Sequence, residues 1–184
     1  MKYNFKKIEP KWQAKWEEAQ AFKAVDFSEK PKWYGLVEFP YPSGAGMHVG
    51  HIKAYSSIEV LSRKRRMQGY NVLFPMGFDS FGLPAENYAI KTNTHPHIIT
   101  EKNIQHFKDQ MEKVGFSFDW SREIATSHED YYKWTQWIFE KLYEHNLVFR
   151  AKTLVNYCPH CKVVLSNEDS QGGKCDICHS DVVQ

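Results

Sequence analysis

Apolar residues follow two different periods along the chain, and each period predicts a different kind of element. The short apolar run Leu36, Val37 and Phe39 is typical of a buried strand. Pro40 and Pro42 follow it, and they are predicted to end the strand because proline cannot donate to a sheet ladder.

A helix is predicted from His51, and a second buried strand from Val72 to Phe74. Gly69 stands where a residue with a left-handed backbone can close the helix. The apolar residues that define the helical face recur every three positions, at Ile52, Tyr55, Ile58 and Leu61. Strand, helix and strand in this order predict a βαβ unit with a right-handed crossover, and therefore an α/β fold class.

The same two periods predict the remaining elements. Helices are expected over residues 7–23, 101–114 and 129–145, and further strands over residues 147–150 and 153–157. Thr100 is the expected N-cap of the second of these helices, and Gly115 is expected to end it. The helix over 129–145 is rich in aromatic residues and is expected to cover the sheet rather than to stack on bases.

The loop between the first strand and the first βαβ helix contains glycines at positions 44, 46 and 50. A glycine-rich loop at a helix N-terminus is an anion site, because the unpaired N–H groups and the helix dipole favour phosphate. His48 and His51 add side-chain donors that can reach a phosphoryl oxygen. The alternative interpretation of this motif alone is that both histidines are simply exposed at a helix start.

A second loop, residues 77–87, follows the second strand and carries Asp79 among apolar neighbours. Ligands of parallel α/β sheets sit beyond the carboxyl ends of the strands, where both loops are predicted to lie. Asp79 is therefore expected to face whatever the two histidines hold.

Three stretches closely resemble the bacterial-type leucyl-tRNA synthetase family. They are Phe-Pro-Tyr-Pro-Ser-Gly at 39–44, His-Val-Gly-His at 48–51, and Gly-Phe-Asp-Ser-Phe-Gly-Leu-Pro-Ala-Glu-Asn at 77–87. The related synthetases for isoleucine, valine and methionine share His-x-Gly-His but differ in the amino-acid sequence of the other two stretches. The resemblance runs from Tyr3 to the end of the chain and implies the first half of a Rossmann-type class I catalytic domain. Such a domain activates leucine with ATP and transfers it to tRNA(Leu).

The resemblance also implies roles for individual residues. His48 and His51 would be catalytic, stabilising charge on the phosphates of ATP. Asp79 would hold the leucine ammonium group, and Mg²⁺ would accompany ATP. The implied ATP-binding residues are Pro42, His48, Gly50 and His51, and the implied amino-acid-binding residues are Phe39, Tyr41 and Asp79. Glu38, Val49 and Phe78 depart from the family, and Glu38 places a charge where an apolar residue is frequent.

The resemblance covers only part of a synthetase. We find no Lys-Met-Ser-Lys-Ser-like loop, editing domain or anticodon-binding bundle, so the chain is expected to be an amino-terminal fragment that does not complete aminoacylation alone. The expected division is a helical extension over 1–34, the first half of the Rossmann domain over 35–154, and a metal-binding element over 155–184. The open edge of such a truncated sheet offers a route for self-association.

Four cysteines form two Cys-x-x-Cys pairs, separated by residues 162–174. Two such knuckles supply four thiolates in a tetrahedron, which suits a structural Zn²⁺ in a zinc-ribbon-like element. The predicted ligands are Cys158, Cys161, Cys175 and Cys178. An iron–sulfur cluster is the lesser alternative, and His160 and His179 are spare ligand candidates.

Composition limits the remaining choices only modestly. The formal net charge of +2 neither requires nor excludes a nucleic-acid partner. No apolar run is long enough to cross a membrane, and the charged start is unlike a signal peptide, so a cytoplasmic location is expected. The basic run over 63–66 is expected to be a solvated helix end rather than a tRNA contact.

Two other functions fit parts of the sequence. A non-catalytic zinc-ribbon module that binds nucleic acid or protein would explain the cysteines, but it leaves the loops over 39–51 and 77–87 unexplained. Another nucleotidyltransferase with His-x-Gly-His would explain the histidines, but such enzymes lack the Gly-Leu-Pro-Ala-Glu-Asn loop and the cysteine pairs.

Overall fold

A computed structural model describes residues 3–42 and 46–184. The helices are α1 (Phe5–Glu18), α2 (Val49–Met67), α3 (Leu83–Thr92), α4 (Pro96–Val114) and α5 (Glu129–Glu144). The strands are β1 (Lys32–Tyr34), β2 (Asn71–Leu73), β3 (Gly77–Phe78), β4 (Ile124–Ala125), β5 (Asn156–Cys158) and β6 (Val163–Leu165). The chain forms two compact units, Met1–Gln136 and Trp137–Gln184. The three-part division expected from the sequence stays a prediction.

The first βαβ unit is present, since β1 and β2 are parallel and α2 connects them. Lys32 pairs with Asn71, Tyr34 pairs with Leu73, and the Gly35 N–H continues the ladder to the Leu73 carbonyl at 2.9 Å. The first strand therefore lies before the apolar run that predicted it. Val37 from that run is buried in the core, although the run is not part of a strand. An apolar run can therefore mark burial without marking strand pairing.

A second parallel pair, β3 with β4, joins Gly77 to Ile124 and Phe78 to Ala125. Neither strand was predicted, because two residues are too short to show a period. The loop predicted over 77–87 is therefore shorter than expected, because it starts after β3 at Asp79 and ends where α3 begins at Leu83.

The core of the first unit is built mainly from aromatic and methionine side chains. The side chains of Phe74, Met76, Phe78, Phe107 and Met111 are fully buried. Helix α4 thus buries the face predicted from its periodicity, and Gly115 ends it with a φ of +83°. The helix begins earlier than predicted, at Pro96 with His95 as the N-cap, and Thr100 is a buried residue inside it.

Other sequence expectations are corrected by the structure. The helix expected over 7–23 is α1, which starts at Phe5 and ends at Glu18, so Pro10 lies inside it. Helix α5 has no buried residue, whereas a helix that covers the sheet was expected to bury one face. No strand forms over residues 147–150, and the strand expected over 153–157 is limited to Asn156–Cys158.

The basic end of α2 is not simply solvated. Arg66 donates to the Ser117 carbonyl at 2.9 Å, and Arg63 donates to the Gly115 carbonyl at 2.7 Å. The buried Glu59 carboxylate accepts from both the backbone N–H and the hydroxyl of Ser117 at 2.8 Å. These two arginines therefore fasten α2 to the segment after α4, because each charged group has partners inside the fold.

None of the helices among the described residues is both long and apolar enough to cross a membrane.

Candidate functional site

His48 and His51 cap the N-terminus of α2 reciprocally. The His48 Nδ1 atom accepts from the Gly50 N–H at 3.1 Å, and the His51 Nδ1 atom accepts from the His48 N–H at 3.2 Å. This is a capping box in which imidazoles replace the usual hydroxyl and carboxylate. Since both Nδ1 atoms accept, the neutral rings carry their hydrogen on Nε2, which leaves two Nε2–H donors at the helix start.

The two rings also restrict each other. Their centroids are 3.8 Å apart and the planes are stacked at 26°. His51 packs on Tyr55 on one side and meets the edge of Phe107 at 6.0 Å on the other. Partial burial and the neighbouring His48 lower the pKa of His51, while Glu38 opposes the shift. The site therefore favours a neutral His51 in the absence of a ligand.

This lowered pKa predicts a pH-dependent stability. His51 stabilises the fold fully above its unfolded pKa of 6.5, and the contribution is lost as the pH falls through the lower folded value. The urea midpoint of the wild type should therefore fall more between pH 7 and pH 5 than that of His51→Gln. Glutamine keeps the acceptor for the His48 N–H. His97→Gln, at an exposed histidine on α4, is the matched control and should retain the wild-type slope. Equal slopes for His51→Gln and wild type would contradict the assignment.

Gly50 is required by the position of the His48 ring. A Cβ on Gly50 would lie 2.8 Å from Cε1 and 2.9 Å from Nδ1 of that imidazole. A larger residue would therefore displace the ring that caps its own N–H. The ATP-binding role that the resemblance implies for Gly50 stays a prediction.

A cavity of about 370 Å³ lies beside the second loop. It gathers the three residues predicted to bind an amino acid, Phe39, Tyr41 and Asp79. The other lining residues are Leu36, Val37, Glu38, Thr126 and Tyr131. Glu38, where the resemblance implies an apolar residue, is therefore one of the lining residues.

Two hydrogen bonds position Asp79. Its backbone N–H donates to the Pro40 carbonyl at 3.1 Å, which joins the two candidate loops directly. The Thr126 hydroxyl donates to Asp79 Oδ1 at 3.3 Å, and the same Thr126 oxygen accepts from the Ser80 N–H at 2.9 Å. Sequence reasoning missed Thr126, because no local motif links it to a loop 47 residues earlier.

Neither histidine is among the residues that line this cavity, but His51 is linked to the cavity wall through Tyr55. Tyr55, which packs on His51, donates its hydroxyl to the Glu38 carbonyl at 3.1 Å. The segment 38–41 therefore has contacts with both the histidine cap and the Asp79 loop. Pro42, which follows this segment in the chain, is buried. Gly44, which is part of the predicted loop, lies outside the described residues.

The four predicted metal ligands come together in the second unit. Their Sγ atoms all lie within 4.8 Å of one another, and Cys158 and Cys175 are completely buried. Each Cys-x-x-Cys pair closes a turn through one backbone hydrogen bond. The Lys162 N–H donates to the Cys158 carbonyl and the His179 N–H donates to the Cys175 carbonyl, both at 2.8 Å. The antiparallel pair β5–β6 holds the first turn, and backbone bridging of Tyr157 to Val183 returns the chain end to it.

The chemistry of this donor set fits Zn²⁺. Four sulfurs match the all-thiolate coordination of structural zinc sites and leave no open position. Hydrogen bonds from Ser180 lower the pKa of Cys178, whereas hydrogen bonding to Cys178 raises the pKa of the Cys161 thiol. Without a cation the sulfurs must share protons, so metal binding should release them.

Comparison with known proteins gives consistent matches. A family profile described as tRNA synthetases class I (I, L, M and V) matches residues 11–177. A leucine–tRNA ligase of Alkaliphilus oremlandii is 54% identical over 182 residues, covering 99% of this chain and 23% of the relative. A leucine–tRNA ligase of Thermotoga maritima is 54% identical over 180 residues, covering 98% of this chain and 22% of the relative.

A solved structure agrees with these matches. The crystal structure of the ternary complex of Agrobacterium radiobacter K84 agnB2 LeuRS-tRNA-LeuAMS aligns with a TM-score of 0.87 and 39% identity. The alignment covers 98% of this chain and 23% of that chain. The chain therefore spans less than a quarter of the length of the proteins that it matches.

Proposed function

Because the chain belongs to the class I tRNA synthetases (I, L, M and V), we propose that it forms part of a catalytic domain that activates leucine with ATP. The activated leucine is then transferred to tRNA(Leu) by the complete enzyme, whose matched relatives are more than four times as long as this chain. The names of the relatives support leucine as the substrate. A cytoplasmic location belongs to the same proposal, because the reaction supplies translation.

The proposed reaction is an in-line displacement. A leucine carboxylate oxygen attacks the α-phosphorus of ATP, the bond to the bridging oxygen breaks, and pyrophosphate leaves. Positioning and charge stabilisation dominate such reactions, with little covalent chemistry from the protein. Mg²⁺ enters with the ATP phosphates and shields their charge.

The histidine cap is the proposed phosphate-binding element. His48 and His51 donate from Nε2 to phosphate oxygens as charge increases in the transition state. The capping bonds hold both rings before ATP arrives, so little reorganisation is needed. Gly50 and Pro42 complete the proposed nucleotide site along the same backbone.

The 370 Å³ cavity is the proposed leucine site, and its lining is the observation that carries the function. Asp79 accepts a charge-assisted hydrogen bond from the leucine ammonium group. Phe39 and Tyr41 supply apolar wall for the side chain. The Thr126 hydroxyl holds the Asp79 carboxylate in place.

The finer architecture belongs to the same proposal. The parallel pairs β1–β2 and β3–β4, with α2 as a crossover helix, support the first half of a Rossmann-type sheet. The four close sulfurs support a zinc-ribbon-like element with structural Zn²⁺. Self-association through an open sheet edge stays a prediction, as does failure of the isolated chain to complete aminoacylation.

A binding experiment tests the proposed substrate. Titration calorimetry should show that the chain binds a non-hydrolysable leucyl-adenylate analogue about 10- to 200-fold more tightly than the valyl analogue, because one methylene contributes about 1–3 kcal/mol. The isoleucyl and methionyl analogues complete the comparison within the family. Equal affinity for all four would overturn leucine as the substrate. Absence of any binding would favour the non-catalytic zinc module, which leaves the cavity and the histidine cap without a role.

A further inference from the structure

Helix α4 contacts the backbone that leads into the histidine cap. The Gln110 side chain accepts the Met47 N–H on its Oε1 atom at 2.7 Å, across 63 residues of sequence. Both residues are partly buried. One turn before Gln110, Phe107 meets the ring edge of His51 at 6.0 Å. One face of α4 therefore contacts both the entry backbone and the second histidine.

Gly46 shows how closely this face approaches. The residue is buried, and its φ of +77° is rare for any residue with a side chain. A Cβ at this position would lie 2.7 Å from Gln110 Oε1 and 2.8 Å from His106 Nε2. His106 is exposed, and its Nε2 atom lies directly against this glycine.

The Met47 N–H has no helical acceptor of its own, because it precedes the first turn of α2. The His48 ring caps the helix only if the backbone enters at the observed angle. A tether on the preceding peptide unit fixes that angle, and with it the direction of the Nε2–H donors. Gly46, the residue before Met47, has no side chain to restrict its backbone, so the Gln110 hydrogen bond supplies that restriction.

We propose that Gln110 is a positioning residue for the phosphate-binding histidines, acting through the Met47 backbone. It does not touch substrate. This inference rests on the proposed function, since it assigns Gln110 a part in nucleotide binding. A purely structural role would instead predict a general loss of stability when the side chain is changed.

Three variants separate these roles. Gln110→Met keeps the length and removes the acceptor, whereas Gln110→Glu restores an acceptor oxygen. Gln105→Met is the matched control on the same helix, where the exposed side chain donates to Asp109, one turn away, at 2.8 Å. Amide hydrogen exchange at Met47 reports the tether, exchange at buried Phe74 reports global opening, and AMP titration reports the nucleotide site.

Gln110→Met should raise Met47 exchange about 10-fold, which corresponds to the loss of one hydrogen bond of about 1.4 kcal/mol. Phe74 exchange should stay unchanged, AMP affinity should fall at least about 3-fold, and Gln110→Glu should recover slow Met47 exchange. A parallel rise at Met47 and Phe74, or unchanged AMP affinity, would overturn the positioning role. Failure of the wild type to bind AMP would overturn the nucleotide site itself, and slow Met47 exchange would still identify the tether.

Discussion

Replacement of Cys175 by serine should release the metal and unfold the second unit. Cys175 is completely buried, and its sulfur lies within 4.8 Å of the other three. Even changes around the ligands of a metal site lower affinity about 10- to 100-fold, so loss of a ligand should lower Zn²⁺ affinity by more than about 100-fold. Elemental analysis should fall from one zinc per chain to none, and amide exchange across Asn156–Cys158 should become fast.

The matched controls for this experiment are His160→Ala and His179→Ala. Both histidines lie beside ligands, and both are candidates for a fourth ligand if one sulfur is not used. All-cysteine coordination predicts one zinc per chain in each variant. Loss of zinc from either one would show that an imidazole belongs to the donor set. Iron in place of zinc in the wild type would instead indicate the cluster alternative.

Replacement of His51 by alanine and of Asp79 by asparagine should weaken binding to different parts of the same ligand. His51→Ala should lower AMP affinity about 10- to 100-fold, because a hydrogen bond to a charged group contributes about 1.5–3 kcal/mol. Asp79→Asn should lower leucine affinity by a similar factor and leave AMP unaffected. Both variants should bind the leucyl-adenylate analogue more weakly than the wild type does. Calorimetry on each purified chain measures these affinities.

Controls for the pair use the same substitutions at exposed positions. His97→Ala on α4 and Asp130→Asn on α5 should leave all three affinities unchanged. Zinc content should remain at the wild-type value in every variant, because the cysteines lie in the other compact unit. A fall in AMP affinity on Asp79→Asn as large as on His51→Ala would contradict the separation of roles.

Sequence reasoning succeeded where a short motif determines its own geometry. The cysteine spacing alone predicted a cluster of four sulfurs, since two Cys-x-x-Cys turns have few other arrangements. The helix predicted from His51 is present as α2, which begins two residues earlier at Val49, because its apolar period is long. The predicted residues Phe39, Tyr41 and Asp79 line one cavity.

Sequence reasoning failed where contacts depend on distant residues. β3 and β4 pair only two residues each across 47 positions, which leaves no period to detect. Thr126 and Gln110 acquire their contacts only when the chain is folded. The arginines of α2 were expected in solvent because the buried acceptors after α4 have no local signal.

The most direct test of the proposed site is a crystal structure of this chain with the leucyl-adenylate analogue. The group that replaces the phosphate should lie within hydrogen-bond distance of the Nε2 atoms of His48 and His51. The ammonium group of the same molecule should contact Asp79. An analogue whose ammonium group lies away from Asp79 while the histidines hold its other end would contradict the proposed leucine site.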